Sequence, residues 1–383
     1  MPAESVHRPT WAEISKSAIT HNVRALKNVM GETSLCAVVK ANAYTHGAVT
    51  VAEAALEGGA DSFAVATVDE GMELREAGIE KPILVLAEVS PAEIPDALAN
   101  NLTLTVGSLE GATAAVACAE KLGGVHRVHV KVDTGMHRMG VEPELLDDVL
   151  DLLRGSSSID VEGLFTHFAV AEGTSSADRA FTRQQIDRFD DIVDRLTHRG
   201  TVPRVLHLSN SAGALGYPNA RRSMVRTGLA LYGYLPESWL VGALEEKGEH
   251  LVPVLTLRSR ISAVRRVPVG ARPSYGRRQA VESEVTIATV PIGYADGYPR
   301  AMFFGGGEVL IKGKRYPLAG SVTMDQLVVN VGDDQVALGD AVVLLGRDGD
   351  EVISADDWAQ WANSISWEVL GRIGPRVPRV VVD

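Results

Sequence analysis

The chain has 383 residues, 45% hydrophobic content and a formal net charge of −12. This length allows one barrel-sized domain and a smaller second one, and the acidic balance argues against a nucleic-acid partner. No apolar run approaches the roughly 20 residues that cross a bilayer, and residues 1–5 lack a signal-peptide pattern, so the sequence predicts a cytoplasmic protein without a membrane partner.

Helical spacing of apolar residues predicts a helix from residue 11 to about 30. Short apolar runs then alternate with amphipathic stretches, which is typical of a parallel sheet. Eight such units predict an α/β fold with a (β/α)8, TIM-like barrel in a domain spanning residues 11–240. The predicted strands are 35–41, 62–67, 83–88, 102–106, 127–133, 161–168, 205–210 and 224–232.

The pattern changes after residue 240, where strand-like segments are separated by turns rich in Gly, Pro and Arg. No long helix is predicted before a segment near 356–373. Residues 241–383, with the first N-terminal residues, are therefore predicted to form a mostly β domain.

Lys40 follows an apolar strand and precedes a small, polar turn. A lysine held there by a strand points into a pocket, where burial favours the neutral, nucleophilic amine. Such an amine combines with a carbonyl, and pyridoxal phosphate is the commonest carbonyl cofactor. A lone lysine at a strand end is more often a surface residue, so the interpretation depends on its surroundings.

Other strand ends also carry polar groups, and in a barrel the carboxyl ends of all strands share one mouth. Singly, Arg226 fits an ion pair, His167 a hydrogen-bonded core histidine and Ser211 a helix N-cap. Together they are expected to face the same mouth as Lys40. The residues in question are Lys131, Asp133, Arg138, Thr166, His167, Asn210, Ser211 and Arg226.

These side chains suit one ligand. Ser211 and the backbone N–H groups of Gly228 and Leu229 could bind a phosphate, and the Tyr44 hydroxyl could donate to it. Arg226 could lie against a pyridine nitrogen. Because a guanidinium cannot take up a proton, that nitrogen would stay unprotonated, and a weak electron sink suits a single proton removal and return.

The sequence resembles the alanine racemase family from Trp11 to Arg379, nearly its whole length. The matching blocks are 37–47, 131–140, 163–168, 224–228, 291–300 and 319–326. The resemblance implies a pyridoxal phosphate enzyme that works as a homodimer, with the β domain of one subunit covering the barrel mouth of the other. Its expected substrate is a small amino acid, alanine, in a D-alanine-forming isomerisation.

Family roles carried onto this chain make Lys40 the cofactor-bearing base and Tyr294 of the partner subunit the second base. Racemisation needs two such bases on opposite faces of the substrate. Arg138 and the backbone N–H of Met324 would bind the substrate carboxylate. In the family, the counterpart of His167 hydrogen-bonds the tyrosine.

Two residues leave alternatives open. Tyr294 could be a core aromatic of the β domain, but its flanking glycines favour a site loop. Lys131 is carbamylated in some relatives, where it supports the arginine that corresponds to Arg138; here an unmodified ion pair between Lys131 and Asp133 fits equally well.

Three positions depart from the family pattern. Thr45 replaces a common glycine beside the phosphate contact, so that turn either keeps φ negative or is reshaped. Pro375 and Thr323 change the expected entrance to the site. These departures concern the substrate more than the reaction, so a racemase for serine or a larger side chain is an alternative.

Two other functions are less compatible with the sequence. Decarboxylases of the same barrel type carry a reactive cysteine in the C-terminal domain, whereas no cysteine follows Cys118. Non-catalytic pyridoxal phosphate-binding proteins lack a C-terminal β domain. The two cysteines, Cys36 and Cys118, also lack metal-ligand spacing, so no metal site is predicted.

Overall fold

The computed structural model describes residues 7–383, so residues 1–5, which carry the prediction about a signal peptide, lie outside the described residues. The chain divides into two compact units. The barrel unit comprises Ser17–Ala43 and Ala48–Val252. The β unit comprises the described residues up to Lys16, with Tyr44–Gly47 and Pro253–Asp383.

The first element is a strand, β1 (Thr10–Ser15), and the predicted helix begins only at Lys16. The prediction of a helix from residue 11 was therefore wrong. The reason is long-range pairing: β1 lies beside two strands from the last third of the chain, and Trp11, Ala12 and Ile14 are buried there. Apolar spacing over six residues does not distinguish this from a helix.

Eight parallel strands form the nearly closed barrel, as the alternating pattern predicts. They pair in the order β8-β7-β6-β5-β4-β3-β2-β9. Two backbone hydrogen bonds join the ends of this path, from Ser223 N to Leu206 O (3.1 Å) and from Arg226 N to Ser209 O (2.9 Å). The strands are β2 (Ser34–Val38), β3 (Ser62–Val65), β4 (Ile83–Glu88), β5 (Thr103–Val106), β6 (His126–Lys131), β7 (Ile159–Phe165), β8 (Val205–His207) and β9 (Met224–Thr227).

Helices connect the strands of the barrel unit. Side-chain caps begin several of them: Thr67, Ser108 and Ser175 each accept a backbone N–H of the first turn. Such caps satisfy donors that a helix start leaves unpaired. The helices are Lys16–Met30, Ala48–Gly58, Val68–Glu76, Ile94–Ala99, Leu109–Leu122, Leu146–Arg154, Ser176–His198, Ser211–Gly216 and Gly242–Glu245.

The β unit contains two sheets, ordered β14-β13-β16-β10-β1-β18 and β11-β12-β15. A further short strand, β17, pairs with β16. Two helices, Ala355–Ala362 and Ser366–Gly371, lie where the sequence predicts helix. The strands are β10 (Leu255–Arg260), β11 (Ala263–Val267), β12 (Val285–Val290), β13 (Glu308–Ile311), β14 (Lys314–Pro317), β15 (Leu327–Gly332), β16 (Ala341–Asp348), β17 (Glu351–Ile353) and β18 (Arg379–Val382).

No helix within residues 7–383 is both long enough and apolar enough to cross a membrane.

Candidate active site

Lys40 lies two residues beyond β2 and opens a left-handed helical turn, Lys40–Tyr44. Residues 41–45 all have positive φ, between 51° and 68°. Each non-glycine residue in this conformation costs about 1–2 kcal/mol. Side chains hold the turn: Glu70 accepts the N–H of Ala41 (2.6 Å) and Asn42 accepts the N–H of Ala48 (2.8 Å). A strained backbone of this kind persists only where surrounding contacts enforce it, and such residues cluster at functional sites.

Thr45 ends this turn with φ of 68°, so of the two alternatives that the sequence left open, the structure adopts the reshaped turn. Its hydroxyl donates to Leu370 O (2.8 Å), and Arg379 donates to Thr45 O (2.7 Å). These two hydrogen bonds within the β unit offset the unfavourable backbone of a β-branched residue.

The amine of Lys40 is half-buried and has no hydrogen-bond or ion-pair partner among the described residues. Burial lowers its pKa, the positive charge of Arg138 lowers it further, and the carboxylate of Glu70 opposes both. The site therefore favours the neutral amine, which is the nucleophilic and basic form.

The segment after β6 carries Lys131, Asp133 and Arg138. The carboxylate of Asp133 accepts the backbone N–H groups of Gly135 (2.8 Å), Met136 (2.9 Å) and His137 (2.9 Å). No ion pair joins Lys131 to Asp133 in the described chain, so that interpretation of Lys131 is wrong: the oxygens of Asp133 are occupied by the turn that follows.

Lys131 is buried, and its pKa is lowered to about 8, first by burial and then by the charges of Arg138 and Arg226. The charge of Asp133 works in the opposite direction. Arg138 itself is exposed. This end of the barrel therefore concentrates positive charge, while the carboxylate of Asp133 accepts backbone N–H groups and contacts His137 Nδ1 (3.3 Å).

Arg226, in β9, is buried, and burial lowers its pKa to about 10. Its Nη1 donates to His207 Nδ1 (2.7 Å), and its Nη2 contacts Thr166 O (3.0 Å), Leu208 O (3.0 Å) and His167 Nδ1 (3.1 Å). Across residues 7–383 it has no carboxylate partner, and its Nε–H has no acceptor. The guanidinium is thus held rigidly, and its Nε–H stays free.

His167 lies two residues beyond β7. Since arginine can only donate, the Nδ1 of His167 accepts from Arg226 and carries no proton, which leaves Nε2 as the donor of the neutral ring. Burial and the surrounding cations, Arg226 first among them, hold its pKa well below the usual value. The predicted hydrogen bond from this ring to Tyr294 of the partner subunit stays a prediction.

Ser211 and the Gly228–Leu229 segment lie together, as the phosphate hypothesis requires. Ser211 Oγ accepts the N–H groups of Gly228 (3.0 Å) and Ala230 (3.3 Å), so its hydroxyl hydrogen remains available to a ligand. The helix cap is Asn210, whose side chain accepts Gly213 N (2.9 Å), and the interpretation of Ser211 as N-cap is wrong. Tyr44 is buried, and burial raises its pKa to about 12.

In the β unit, Tyr294 and Met324 lie on two adjacent turns. Tyr294 N donates to Thr323 O (3.0 Å) and Ala295 N donates to Met324 O (3.0 Å). Gly293 permits this approach, since a Cβ there would lie 2.2 Å from Thr323 O. Both side chains project outward, with 45% of Tyr294 and 52% of Met324 exposed, which excludes a core role for the tyrosine.

Sequence reasoning missed the residues that support these groups. His207, which accepts from Arg226, is at an inward position of β8, and strand alternation could have identified it. Asp296 is fully buried just after Tyr294 and pairs with Arg8 (2.6 Å) and Arg376 (3.3 Å). The sequence carries no local signal for those pairs, because their members are far apart along the chain.

Comparisons with known proteins show the family of this chain. Residues 14–236 match the family model "Alanine racemase, N-terminal domain" and residues 254–381 match "Alanine racemase, C-terminal domain". The alanine racemase of Symbiobacterium thermophilum is 42% identical over 97% of this chain and 97% of its own length. That of Methanococcus maripaludis is 39% identical over 98% and 99%.

Solved structures give the same result. The alanine racemase of D-cycloserine-producing Streptomyces lavendulae superposes with a TM-score of 0.92 at 37% identity, covering 99% of this chain and 98% of that one. The alanine racemase of Bacillus anthracis with bound L-Ala-P superposes with a TM-score of 0.91 at 37% identity, covering 99% and 96%. The barrel, the β unit and these relatives together assign the chain to the alanine racemase family of isomerases.

Proposed function

We propose that this chain racemises alanine with pyridoxal phosphate, using Lys40 and Tyr294 as bases on opposite faces of the substrate. The observation that carries the proposal is the amine of Lys40. It has no partner in the described chain, and its pKa is lowered by burial and by a neighbouring cation. An unpaired lysine with a lowered pKa at a barrel mouth is suited to covalent bonding and proton transfer.

The donor set fits pyridoxal phosphate. Lys40, Lys131, Arg138 and Arg226 influence one another electrostatically, and Asp133, the acid beside them, is bound to backbone groups. An anionic ligand would balance this charge. The free Nε–H of Arg226 suits a ring nitrogen. The hydroxyl of Ser211, with Tyr44, Asn210 and the Leu229 N–H, suits a phosphate, whereas the Gly228 N–H already donates to Ser211 Oγ.

When bound, pyridoxal phosphate withdraws electrons from the substrate's Cα–H bond and so acidifies it. Arg226 cannot give the ring a full proton, because burial does not bring its pKa near neutrality. These residues therefore favour a reaction in which one proton is removed and promptly returned. They are less suited to reactions that need a long-lived carbanion. Lys40 would move the proton at one face and the Tyr294 hydroxyl at the other.

The remaining groups bind and orient. Arg138 is exposed and unpaired within the described chain, so it can receive the substrate carboxylate together with the backbone N–H of Met324. His167, neutral and fixed at Nδ1 by Arg226, would donate its Nε2–H to the Tyr294 hydroxyl of the partner subunit and so favour the phenolate.

We infer a homodimer in which each β domain, residues 241–383 with the first N-terminal residues, serves the barrel, residues 11–240, of the partner subunit. The outward exposure of Tyr294 and Met324 from the β unit supports this arrangement. The expected setting is the cytoplasm, with a small-molecule substrate and neither nucleic acid nor membrane as partner.

We propose that Lys131 is carbamylated. Reaction with carbon dioxide requires a neutral amine, and a pKa of about 8 provides a substantial neutral fraction near physiological pH. The carbamate would carry a negative charge into a cluster that otherwise contains Lys40, Arg138 and Arg226.

The test is α-proton exchange and chirality for a panel of L-amino acids incubated with holoenzyme in D2O. Fast exchange with inversion for alanine alone is the expected result. Faster exchange of serine or a larger amino acid would change the assigned substrate but not the assigned reaction. The positions to examine would then be Thr45, Thr323 and Pro375. Absence of exchange for every amino acid would favour a non-catalytic cofactor-binding protein.

Tyr294→Phe, with Tyr275→Phe as the matched control, tests the second base. Tyr275 is 77% exposed in the same unit and has no proposed role. Tyr294→Phe should lower racemisation by about 10²–10⁴-fold while cofactor binding persists, and Tyr275→Phe should not change it. A Tyr294→Phe enzyme that retains most of its rate would exclude the two-base assignment.

A further inference from the structure

A line of hydrogen-bonded polar side chains runs inside the barrel away from Arg226. Arg226 Nη1 contacts His207 Nδ1 (2.7 Å), His207 Nε2 contacts His129 Nδ1 (2.8 Å), and His129 Nε2 contacts Glu162 (3.1 Å). Glu162 is bound in turn by Arg204 (2.9 Å). Both histidines are buried. Barrels of this type usually fill their interior with apolar layers, so closing the sheet does not require this line.

The proton positions in this line follow from its first member. Arginine only donates, so His207 Nδ1 must be unprotonated, and the neutral ring carries its hydrogen on Nε2. That hydrogen meets His129 Nδ1, which must therefore accept, and the hydrogen on Nε2 of His129 meets the Glu162 carboxylate. Every donor has one acceptor, and all bonds point in one direction, from the guanidinium toward Glu162.

Both imidazoles are kept neutral. Burial lowers the pKa of His129 and holds that of His207 well below the usual value, and the charge of Arg226 acts in the same direction on both. The Glu162 carboxylate opposes this at His129, but burial has the larger effect. Two neutral rings therefore separate the buried cation from the nearest carboxylate of the line.

Packing fixes the two rings. His207 stacks on Phe165 with centroids 4.5 Å apart and an interplanar angle of 7°. His129 lies against Gly163, where a Cβ would come within 2.6 Å of the ring. At its far end the line reaches a cavity of about 190 Å³, lined by His129, Glu162 and by Ser34, Ser62, Thr103 and Met224 at strand starts. The line thus spans the barrel from the Lys40 end toward the opposite face.

We propose that His207, His129 and Glu162 are positioning residues for Arg226, which hold its guanidinium in one orientation and direct its free Nε–H to the cofactor ring. The negative charge of Glu162 polarises both imidazoles and strengthens the acceptor at His207 Nδ1. The link to the cofactor ring rests on the proposed function, whereas the fixed tautomers belong to the protein alone.

The experiment uses the full-length protein with 15N-labelled histidine, with and without pyridoxal phosphate. Two-bond proton–nitrogen correlations report which ring nitrogen of each histidine carries hydrogen. His129→Leu interrupts the line at similar volume, and Glu162→Gln removes the charge but keeps an acceptor. Thr103→Val is the matched control, because Thr103 is a buried residue lining the same cavity but lies outside the line.

In the unsubstituted protein His207 and His129 should both carry hydrogen on Nε2 only, with or without cofactor. In His129→Leu, the Nε2–H of His207 loses its acceptor, while Nδ1 still faces the Arg226 donor and stays unprotonated. The His207 ring is then held from one side only, so its two-bond correlations should shift and broaden. The kcat of the loaded enzyme should fall about tenfold with KM changed less than twofold, and tenfold corresponds to about 1.4 kcal/mol. Glu162→Gln should give a smaller fall in kcat, and Thr103→Val should match the parent in both readouts.

A doubly protonated His207, or His207 correlations and kcat that are both unchanged in His129→Leu, would overturn the proposal. If His129→Leu does not fold, unchanged kcat and imidazole signals in Glu162→Gln would overturn it instead. The two proposals fail separately. If the expected tautomers are observed but alanine does not exchange its α-proton, the proposed hydrogen-bonded line is supported and the proposed racemase function is rejected.

Discussion

The two units hold their candidate site residues in opposite ways. In the barrel unit, Arg226 lies in β9 and Lys40 lies two residues beyond β2, and burial lowers the pKa of the lysine. In the β unit, Tyr294 and Met324 lie on turns, are about half exposed, and are held through backbone hydrogen bonds. A site that lowers the pKa of a base by burial needs a closed scaffold. A group that serves another subunit, as we propose for Tyr294 and Met324, needs exposure on a rigid support.

Of the substitutions considered, removal of the Lys40 amine should give the largest loss of racemisation with little change in the stability of the fold. Lys40→Ala is expected to lower alanine racemisation by at least about 10⁴-fold, because both covalent attachment and one proton transfer are lost. Stability should change little, since no described residue pairs with the amine. Chiral product analysis and thermal unfolding measure the two effects. A variant with a tenth of the parental rate would contradict the assignment of Lys40.

The corresponding test in the β unit concerns the buried acid behind Tyr294. Asp296→Ala leaves Arg8 and Arg376 without their shared partner and removes the acceptor of Gly293 N (2.9 Å). Both arginines are partly exposed and can be solvated, so the free energy of unfolding should fall by about 2–3 kcal/mol, below the usual 3–5 for a buried pair. Racemisation should fall with it, since the turn that carries Tyr294 loosens.

Asp325→Ala is the control for that prediction. Asp325 binds the same Arg376 (2.7 Å), but more than half of its side chain is exposed. Its loss should cost about 1 kcal/mol or less, as for other surface pairs. Equal destabilisation by Asp296→Ala and Asp325→Ala in chemical denaturation would show that burial does not distinguish the two carboxylates.

The contrast between the units also explains what the sequence could predict. Alternating strands and helices indicated the eight-stranded barrel, and strand ends indicated Lys40, His167 and Arg226, because the inward phase of a strand is a local property. The left-handed turn was not predictable in this way. Ala41 and Ala43 locally favour a right-handed helix, and only tertiary contacts such as Glu70 with Ala41 N reverse that preference.

Other features that the sequence did not predict also depend on contacts between residues distant in the chain. Asn210 and Ser211 are neighbours in sequence, and either side chain could cap the helix. In the structure Asn210 accepts Gly213 N, and Ser211 Oγ accepts the N–H of Gly228, which is distant in sequence. The pairing of Asp296 with Arg8 joins residues almost 300 positions apart in the chain. Such partners have no periodic signature, so the support of the β-unit turn was not predictable, whereas His207 was accessible from strand phase.

The close packing of Gly293 against the backbone of Thr323 and Met324 can be tested by adding a single methyl group. In Gly293→Ala, the new Cβ would lie 2.2 Å from Thr323 O and 2.4 Å from Met324 C, both backbone atoms that cannot rotate away. The two turns must then separate, which should cost about 1–3 kcal/mol in the free energy of unfolding and lower kcat. Gly371→Ala is the control, because its Cβ would meet nothing within 4 Å. Equal stability of the two variants would contradict this close packing.

The smallest expected effect is a pH dependence of stability in the barrel unit, where burial lowers the pKa of Lys131. Its pKa is lowered from 10.5 to about 8 on folding, so the unfolded chain binds the proton more tightly than the folded one. The free energy of unfolding should therefore rise as the pH increases from about 8 to about 10.5, and this gain is absent at lower pH, where both states are protonated. Partial solvation of the amine limits the gain to about 1–2 kcal/mol.

Lys131→Met should remove that rise, and Lys121→Met, on the outer helix Leu109–Leu122, should leave it unchanged. Urea unfolding of parent and variants at pH 8 and pH 10 in carbon dioxide-free buffer measures the difference, because other titrating groups cancel between them. Added 13C-bicarbonate should flatten the parental slope and give a carbamate signal that Lys131→Met lacks. A parental slope that equals that of Lys131→Met without bicarbonate would mean that burial does not lower the pKa of this lysine.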